Sequence, residues 1–186
     1  MNYDAIETLE HKGHKIDIYH DSDPESPREW CNLGTMALFH SRMDLGDNWQ
    51  DKFYEDELEQ IPENKDFICL PVYAFEHGGI TISTGSFSCV FDSGQLGIIF
   101  ADIGEIKKEW GWIRLSKKRR AKIEEILANE VETYAQFLEG RVYGYTITDR
   151  SGEEIGSCWG FYGEESVQEA AKEEIDFMPE GDRQSK

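Results

Sequence analysis

The chain has 186 residues, of which 39% are hydrophobic and 12% aromatic, so it is long and apolar enough to bury one domain-sized core. Its 38 acidic and 19 basic side chains give a formal net charge of −19, which repels nucleic acid and anionic membranes and attracts basic partners. This composition excludes disorder throughout, and no run approaches the roughly 20 apolar residues of a membrane span.

The first third of the chain is acidic and predicts one strand and two helices. Residues 14–20 alternate apolar and polar side chains, as a half-buried strand does. Residues 21–30 contain two prolines and four acids and predict an exposed loop. Asn32 is a candidate cap for a helix over 33–43, and a second, very acidic helix is predicted over 48–61.

The middle third predicts several strands. Residues 67–75 are rich in β-branched and aromatic side chains, and Pro71 among them indicates a bulge or an edge. Residues 80–83 follow a tight glycine turn and are expected to return as the hairpin partner. Two further strands are predicted over 87–91 and 96–101.

The sequence "DSGQ" lies between these last two strands. A nucleophile elbow needs the pattern G-x-S-x-G on a turn from strand to helix, and the residues around Ser93 do not fit it. We expect Asp92 and Ser93 to form a side-chain-capped turn in which Gly94 takes a positive φ. Gln95 is then free to point into a cleft.

The last third contains the clearest helix. Asp102 is expected to precede a short helix, and Ser116 to cap a long one over 117–139. The apolar stripe of the long helix consists of Ile123, Leu127, Val131, Tyr134 and Leu138. Residues 142–161 predict a β-hairpin, and a short helix is expected within 164–186.

The strands outnumber the helices and do not alternate strictly with them. This order favours an α+β fold, with an antiparallel or mixed sheet of about six strands and a long amphipathic helix packed on one face. We expect residues 1–163 to form a single α+β domain, followed over 164–186 by an acidic C-terminal helix and a frayed tail.

Cysteine usage and the amino terminus indicate the compartment. The four cysteines are scattered and none forms a C-x-x-C pair, which argues against a zinc finger. The sequence "MNYDAIETLE" lacks the basic-then-apolar order of a signal peptide. We therefore expect a cytoplasmic protein with reduced thiols, and we predict no metal and no cofactor.

Histidines at turns and element ends raise the alternative of an enzyme. In that hypothesis His40, His77 and Asp92 are the catalytic residues, and Gln95 meets them in one cleft. His20, His40 and His77 lie far apart in sequence and match no H-x-H or H-E-x-x-H motif, so a metal site is not favoured.

Two charged clusters are candidates for contact with a partner. The acidic set consists of Asp21, Asp23, Glu25, Asp51, Glu55, Asp56, Glu57 and Glu59. The basic set consists of Lys117, Lys118, Arg119 and Arg120, at the start of the long predicted helix, where cations oppose the helix dipole. The acidic set is predicted to bind a basic protein, whereas the basic set offers only a weaker, alternative contact with nucleic acid.

Several strings together resemble a family of small proteins encoded by tailed phages, prophages and other mobile elements. They are "SPREWCNLGTM" from residue 26, "LGD" at 45–47, "FDSGQLG" from residue 91 and "SCWGFYG" at 157–163. The resemblance spans residues 15–163 and implies an accessory protein acting in the cytoplasm of an infected bacterium. It carries over no catalytic residue.

From this context and the charge we predict a non-enzymatic binder or inhibitor of a basic, nucleic-acid-binding protein of host defence. Its carboxylates would act as a DNA mimic by occupying lysine and arginine sites meant for phosphate. The alternatives are the enzyme described above and a structural or assembly protein of the phage. The oligomeric state is left open.

Overall fold

The computed structural model describes residues 4–89 and 91–178, and it confirms the α+β class. The strands of these residues are β1 Glu7–His11, β2 His14–His20, β3 Thr35–Leu38, β4 Phe67–Glu76, β5 Ile80–Ser83, β6 Ser93–Asp102, β7 Val142–Thr148 and β8 Glu154–Tyr162. The α-helices are α1 Glu55–Gln60, α2 Ile103–Glu109, α3 Lys117–Leu138 and α4 Glu164–Phe177. The strands thus number eight where the sequence indicates about six, and they form two antiparallel sheets of four strands each.

The described residues group into two compact units. The first contains residues 4–25 and 140–178, and the second contains Ser26 to Glu139. Each unit has one sheet and its own helices. That 1–163 folds as a single domain stays a prediction, and the tail beyond residue 178 lies outside the described residues.

The sheet of the first unit has the strand order β1-β2-β7-β8 and carries α4 on one face. Val167, Ala171 and Ile175 recur every four residues along α4 and are fully buried against the sheet. The sequence predicts β2 and the β7–β8 hairpin but not β1. The missed signal is Lys12-Gly13, whose two positive φ angles make the tight turn that joins β1 to β2.

The sheet of the second unit has the strand order β3-β6-β4-β5, and α3 packs on it. The Ser116 hydroxyl accepts a hydrogen bond from the Arg119 N–H at the start of α3, as the sequence predicts. The predicted stripe is buried along the helix, with Leu138 partly so. Gly140 follows the helix with a φ of 69°, the left-handed conformation that ends many helices.

The helix predicted over 33–43 is wrong, because Thr35–Leu38 is strand β3. Met36 faces the core under α3, whereas Ala37 faces a second cluster on the opposite side of the sheet. A short run that is buried on both faces has the same apolar pattern as a buried helix, so periodicity alone did not separate them.

The acidic helix predicted over 48–61 is only partly correct. Trp49–Asp51 is a short 3-10 helix, and α1 begins only at Glu55. The chain breaks between them because Trp49 and Leu58 both bury their side chains in the cluster around Phe100.

The strand predicted over 87–91 is wrong for its described residues, while Val90 lies outside them. Ser93 and Gly94 belong to β6, and Gly94 does not take the expected positive φ. The expectation for Pro71 is confirmed, since the β4–β6 register shifts between Val72 and Tyr73, and β5 pairs with β4 only from Tyr73 onward.

A glycine in β6 allows the close approach of β3. A Cβ on Gly97 would lie 2.1 Å from the Ala37 carbonyl oxygen, whereas a Cβ on Gly94 meets nothing within 4 Å. We expect Gly97→Ala to lower the free energy of unfolding by about 1–3 kcal/mol, and Gly94→Ala to change it by less than about 0.5 kcal/mol. Urea denaturation of both variants tests this, and equal costs would contradict it.

Alkaline pH is expected to destabilise the first unit through Tyr145. Burial raises the pKa of its phenol, and the hydrogen bond that it donates to Glu174 raises it further. Because the folded-state pKa lies above the unfolded value of about 10, this stabilisation is complete below pH 10 and is lost as the pH rises further.

In Tyr145→Phe the free energy of unfolding should therefore fall less steeply above pH 10, by up to about 1.4 kcal/mol per pH unit. The control is Tyr54→Phe, since the Tyr54 side chain is 77% exposed and should leave the slope unchanged. Denaturant titrations between pH 9 and 11.5 measure both slopes, and parallel curves for Tyr145→Phe and the parent chain would refute the assignment.

Candidate partner-binding groove

A buried ion cluster in the second unit holds together three segments that are distant in sequence. The Arg28 side chain is only 5% exposed and binds Asp47 through two hydrogen bonds, from Nε to Oδ1 at 2.8 Å and from one terminal nitrogen to Oδ2 at 2.7 Å. Its other terminal nitrogen lies 3.1 Å from Glu130 of α3. These residues join the loop before β3, the loop after it, and the long helix.

Backbone groups complete the cluster. Glu130 accepts hydrogen bonds from the N–H groups of Leu33 and Gly34, and Asp47 accepts one from Met36 at 2.8 Å. Burial alone would lower the pKa of Arg28, but its hydrogen bonds to the two carboxylates raise it. Since each of the three charged groups already has hydrogen-bond partners within the protein, we interpret the cluster as structural.

The cluster explains two of the strings singled out in the sequence. Arg28 and Gly34 both belong to "SPREWCNLGTM", and Asp47 belongs to "LGD". Gly34 donates to Glu130, and its carbonyl accepts a hydrogen bond from Arg28 at 2.8 Å. A Cβ on Gly34 would lie 2.5 Å from Leu127, so glycine also lets α3 approach this strand closely.

Beside the cluster, the segment after β3 borders a groove centred on Phe39. Two adjoining cavities of about 510 and 430 Å³ share Phe39 and Glu55 in their walls, and we call them together the Phe39 groove. Phe39 is 49% exposed although its ring lies 5.1 Å from that of Trp49. Its N–H donates to the Leu96 carbonyl at 2.9 Å, which fixes it at the end of β3.

The walls of the Phe39 groove combine apolar and acidic groups. Leu58, Leu96 and Ile98 supply apolar surface. The charged side chains are Asp44, Glu55 and Glu59, and within the described part of the chain none of them has a lysine or arginine nitrogen within 4.0 Å. No lysine or arginine is among the described residues that line the groove. It is thus an apolar depression with unpaired negative charge.

Helix α1 positions two of these carboxylates. Glu55 and Glu59 are exposed and one turn apart, and the buried Leu58 between them anchors the helix in the core. Glu57 is used locally, because its carboxylate accepts a hydrogen bond from the Tyr54 N–H at 2.9 Å and caps the helix.

The remaining members of the predicted acidic set lie elsewhere. Asp51 and Asp56 are exposed in the second unit but do not line the Phe39 groove. Asp21, Asp23 and Glu25 belong to the loop after β2 in the first unit. Asp21 accepts a hydrogen bond from the Asp23 N–H at 3.1 Å, and the Glu25 carbonyl accepts one from the Tyr162 hydroxyl.

The residues of the enzyme hypothesis are not united in one cavity. His40 lines the groove with its side chain 5% exposed, and its Nδ1 accepts hydrogen bonds from the N–H groups of Arg42 and Met43. Nε2 therefore carries the proton and donates to Glu76 at 3.2 Å. Both ring nitrogens of His40 are thus occupied.

His77 and Asp92 lie at the surface instead. The His77 Nδ1 is 3.7 Å from an Asp92 carboxylate oxygen, and these side chains are 77% and 43% exposed. The same oxygen lies 3.6 Å from the Cys89 sulfur, a neighbour that sequence analysis did not connect with the pair. His20 belongs to the first unit, where its ring lies 5.1 Å from that of Tyr143.

The sequence predicts only part of this groove. Of its candidate residues, Glu55, Glu59, Gln95 and His40 line the groove. Phe39 and Asp44 were missed, because the helix predicted over 33–43 gave no reason to expect an exposed aromatic ring beside an acid at the end of a strand.

Across the described ranges, no three or more histidine, cysteine, aspartate or glutamate side chains are grouped to hold a metal ion. No helix in the described part of the chain has the length and apolar character needed to cross a bilayer.

Comparisons of the chain with protein-family models, with curated proteins and with solved structures give no match. The resemblance to phage-encoded proteins therefore stays a prediction.

Removing Arg28 should be costly because it leaves two carboxylates facing each other without their cation. We expect Arg28→Met to lower the free energy of unfolding by about 3–5 kcal/mol. The control is Arg42→Met, which breaks the exposed pair between Arg42 and Glu76 and should cost about 1 kcal/mol or less. Urea denaturation measures both, and similar small costs would show that the cluster does not hold the loops.

Proposed function

We propose that this protein is a non-enzymatic binding protein whose Phe39 groove takes a basic segment of a protein partner. The observation that carries the proposal is the combination of an apolar floor with three carboxylates that have no cationic neighbour among the described residues. Such carboxylates gain most from a ligand that brings its own cations.

The groove also indicates the form of the partner segment. Phe39 and Met43 are 49% and 40% exposed, so an aliphatic or aromatic side chain of the partner would cover them. Glu55 and Glu59 would then pair with lysine or arginine residues on either side of that anchor. The occupant is therefore a cationic segment with an apolar anchor, and the net charge of −19 would speed the encounter.

The placement of the histidines supports binding over catalysis. His40 is the one histidine of the hypothesis that lines the groove, and both of its ring nitrogens already have partners. His77 and Asp92 lie 3.7 Å apart at the surface, and their side chains are 77% and 43% exposed, so water reaches both of them.

The partner that we propose is a nucleic-acid-binding protein. Lysine and arginine residues that neutralise phosphates form the nucleic-acid-binding faces of proteins, and on such a face this chain would compete with phosphate as a DNA mimic. The resemblance to phage-encoded proteins favours a host-defence protein as the target and the bacterial cytoplasm as the place.

The test is fluorescence anisotropy with a labelled 12-residue peptide of lysine and arginine that carries two central leucines. We expect Glu55→Gln combined with Glu59→Gln to weaken binding about tenfold, and Phe39→Ala to weaken it by about tenfold or more. Affinity should also fall as NaCl rises from 50 to 500 mM, because exposed charges are screened.

Matched controls remove the same groups outside the groove. Glu132→Gln with Glu169→Gln removes two exposed carboxylates, and Phe91→Ala removes a ring that is 99% exposed. Both should stay within about twofold of the parent chain. If the controls weaken binding as much as the groove variants, the interaction is a general charge effect and the groove is not the site.

A further inference from the structure

One short segment is strongly basic, although the chain as a whole is acidic. Residues 107–122 contain eight lysines and arginines and one glutamate, a net charge of +7. The rest of the chain has 11 basic and 37 acidic side chains. We call residues 107–122 the basic segment, and it runs from the end of α2 into the first turns of α3.

Two tryptophan rings contact two cations of the basic segment. The rings of Trp110 and Trp112 meet edge to face with centroids 4.7 Å apart. The guanidinium of Arg119 lies 4.5 Å above Trp112, and the Lys122 ammonium lies 5.9 Å from Trp110. Arg119 is held further by its hydrogen bond to the Arg114 carbonyl at 2.8 Å.

The cations of this segment are mostly unpaired. Arg120 pairs with Glu124 at 2.9 Å. In the described residues, no carboxylate lies within 4.0 Å of the amino groups of Lys117, Lys118 or Lys122, although the chain has twice as many acids as bases. Lys117 and Lys118 also lie in the first turn of a 22-residue helix, where cations oppose the helix dipole, so helix stability does not account for them.

The surface beside these cations is concave. A cavity of about 580 Å³ is lined by three cationic side chains and one carboxylate, together with two small residues: Ser116, Lys118, Arg119, Ala121, Lys122 and Glu125. Ile113 is 92% exposed in the loop before α3. The basic segment thus offers several cations around a hollow together with one apolar contact.

We propose that the basic segment binds the phosphate backbone of nucleic acid, independently of sequence. A nucleic acid strand presents phosphates at regular short spacing, so several unpaired cations can be neutralised at once with release of counterions. An acidic polypeptide has a lower and less regular charge density, so it satisfies the same set of cations less well. The tryptophan faces are covered by Arg119 and Lys122, which favours backbone contact over stacking on bases.

The basic segment and the Phe39 groove consist of different residues of the second unit. The proposal that the basic segment binds nucleic acid can therefore be wrong while the proposal for the groove is right, and the reverse. If both are correct, one chain can contact a nucleic-acid-binding protein and the nucleic acid beside it. This differs from the sequence-based expectation that nucleic acid is repelled, because that expectation used the net charge of the whole chain.

The experiment is fluorescence anisotropy of the full chain with a labelled 20-base-pair DNA duplex at NaCl concentrations from 20 to 200 mM. The test variant changes Lys117, Lys118 and Lys122 to glutamine. We expect it to bind at least about tenfold more weakly at 50 mM NaCl, and the slope of log K against log salt to fall by about 2 to 3.

The matched control changes Lys52, Lys65 and Arg150 to glutamine, since these exposed residues lie outside the segment and removing them gives the same net charge. It should bind DNA within about threefold of the parent chain. Circular dichroism melting checks the fold. Loss of Lys117 and Lys118 relieves the helix dipole, whereas loss of Lys122 removes its contact with Trp110, so the test variant should melt within about 5 °C of the parent chain.

Several results would overturn the proposal. One is the absence of DNA binding by the parent chain at 20 mM NaCl, and another is an equal loss in the control variant. Competition by poly-glutamate as effective as by unlabelled DNA at equal charge would assign the segment to an acidic protein. Binding to anionic phospholipid vesicles but not to DNA would show that the basic segment binds a membrane surface and not nucleic acid.

Discussion

The Arg28 cluster is the interaction on which the second unit depends. It ties the loop before β3 and the loop after it to α3, with both carboxylates bound to one guanidinium. The segment that borders the Phe39 groove is therefore held at both ends, by Phe39 on Leu96 and by Asp47 on Met36. A buried charge network of this kind gains its value from complete pairing, since any member left alone costs more than the pair contributes.

The surface of the second unit is divided by charge. Among the described residues, no lysine or arginine nitrogen lies within 4.0 Å of the carboxylates of the Phe39 groove, and no carboxylate lies within 4.0 Å of Lys117, Lys118 or Lys122 in the basic segment. In the part of the chain that the structure describes, no ion pair joins the carboxylates of the Phe39 groove to the cations of the basic segment. Each surface therefore keeps an electrostatic field that a partner of opposite charge can use.

Particular residues show how much of the site the sequence could reveal. Glu55 and Glu59 were found because charge density is visible in a linear sequence. Phe39 was not found, because its exposure depends on β3 pairing with β6 and on Trp49 filling the space beneath its ring. The partners of Arg28 are 19 and 102 residues away, a separation that no local pattern encodes.

The sequence by itself determined the elements in which the apolar pattern repeats over many residues or in which a capping residue marks the end. The stripe of α3, its Ser116 cap and the turns of the β4–β5 and β7–β8 hairpins depend on residues close together in the sequence, so local interactions determine them. Tertiary structure decided the division into two sheets, the strand at Thr35–Leu38 and the groove around Phe39. These depend on burial from both sides and on charge pairs that close only when distant segments meet, so their free energy exists only in the folded chain.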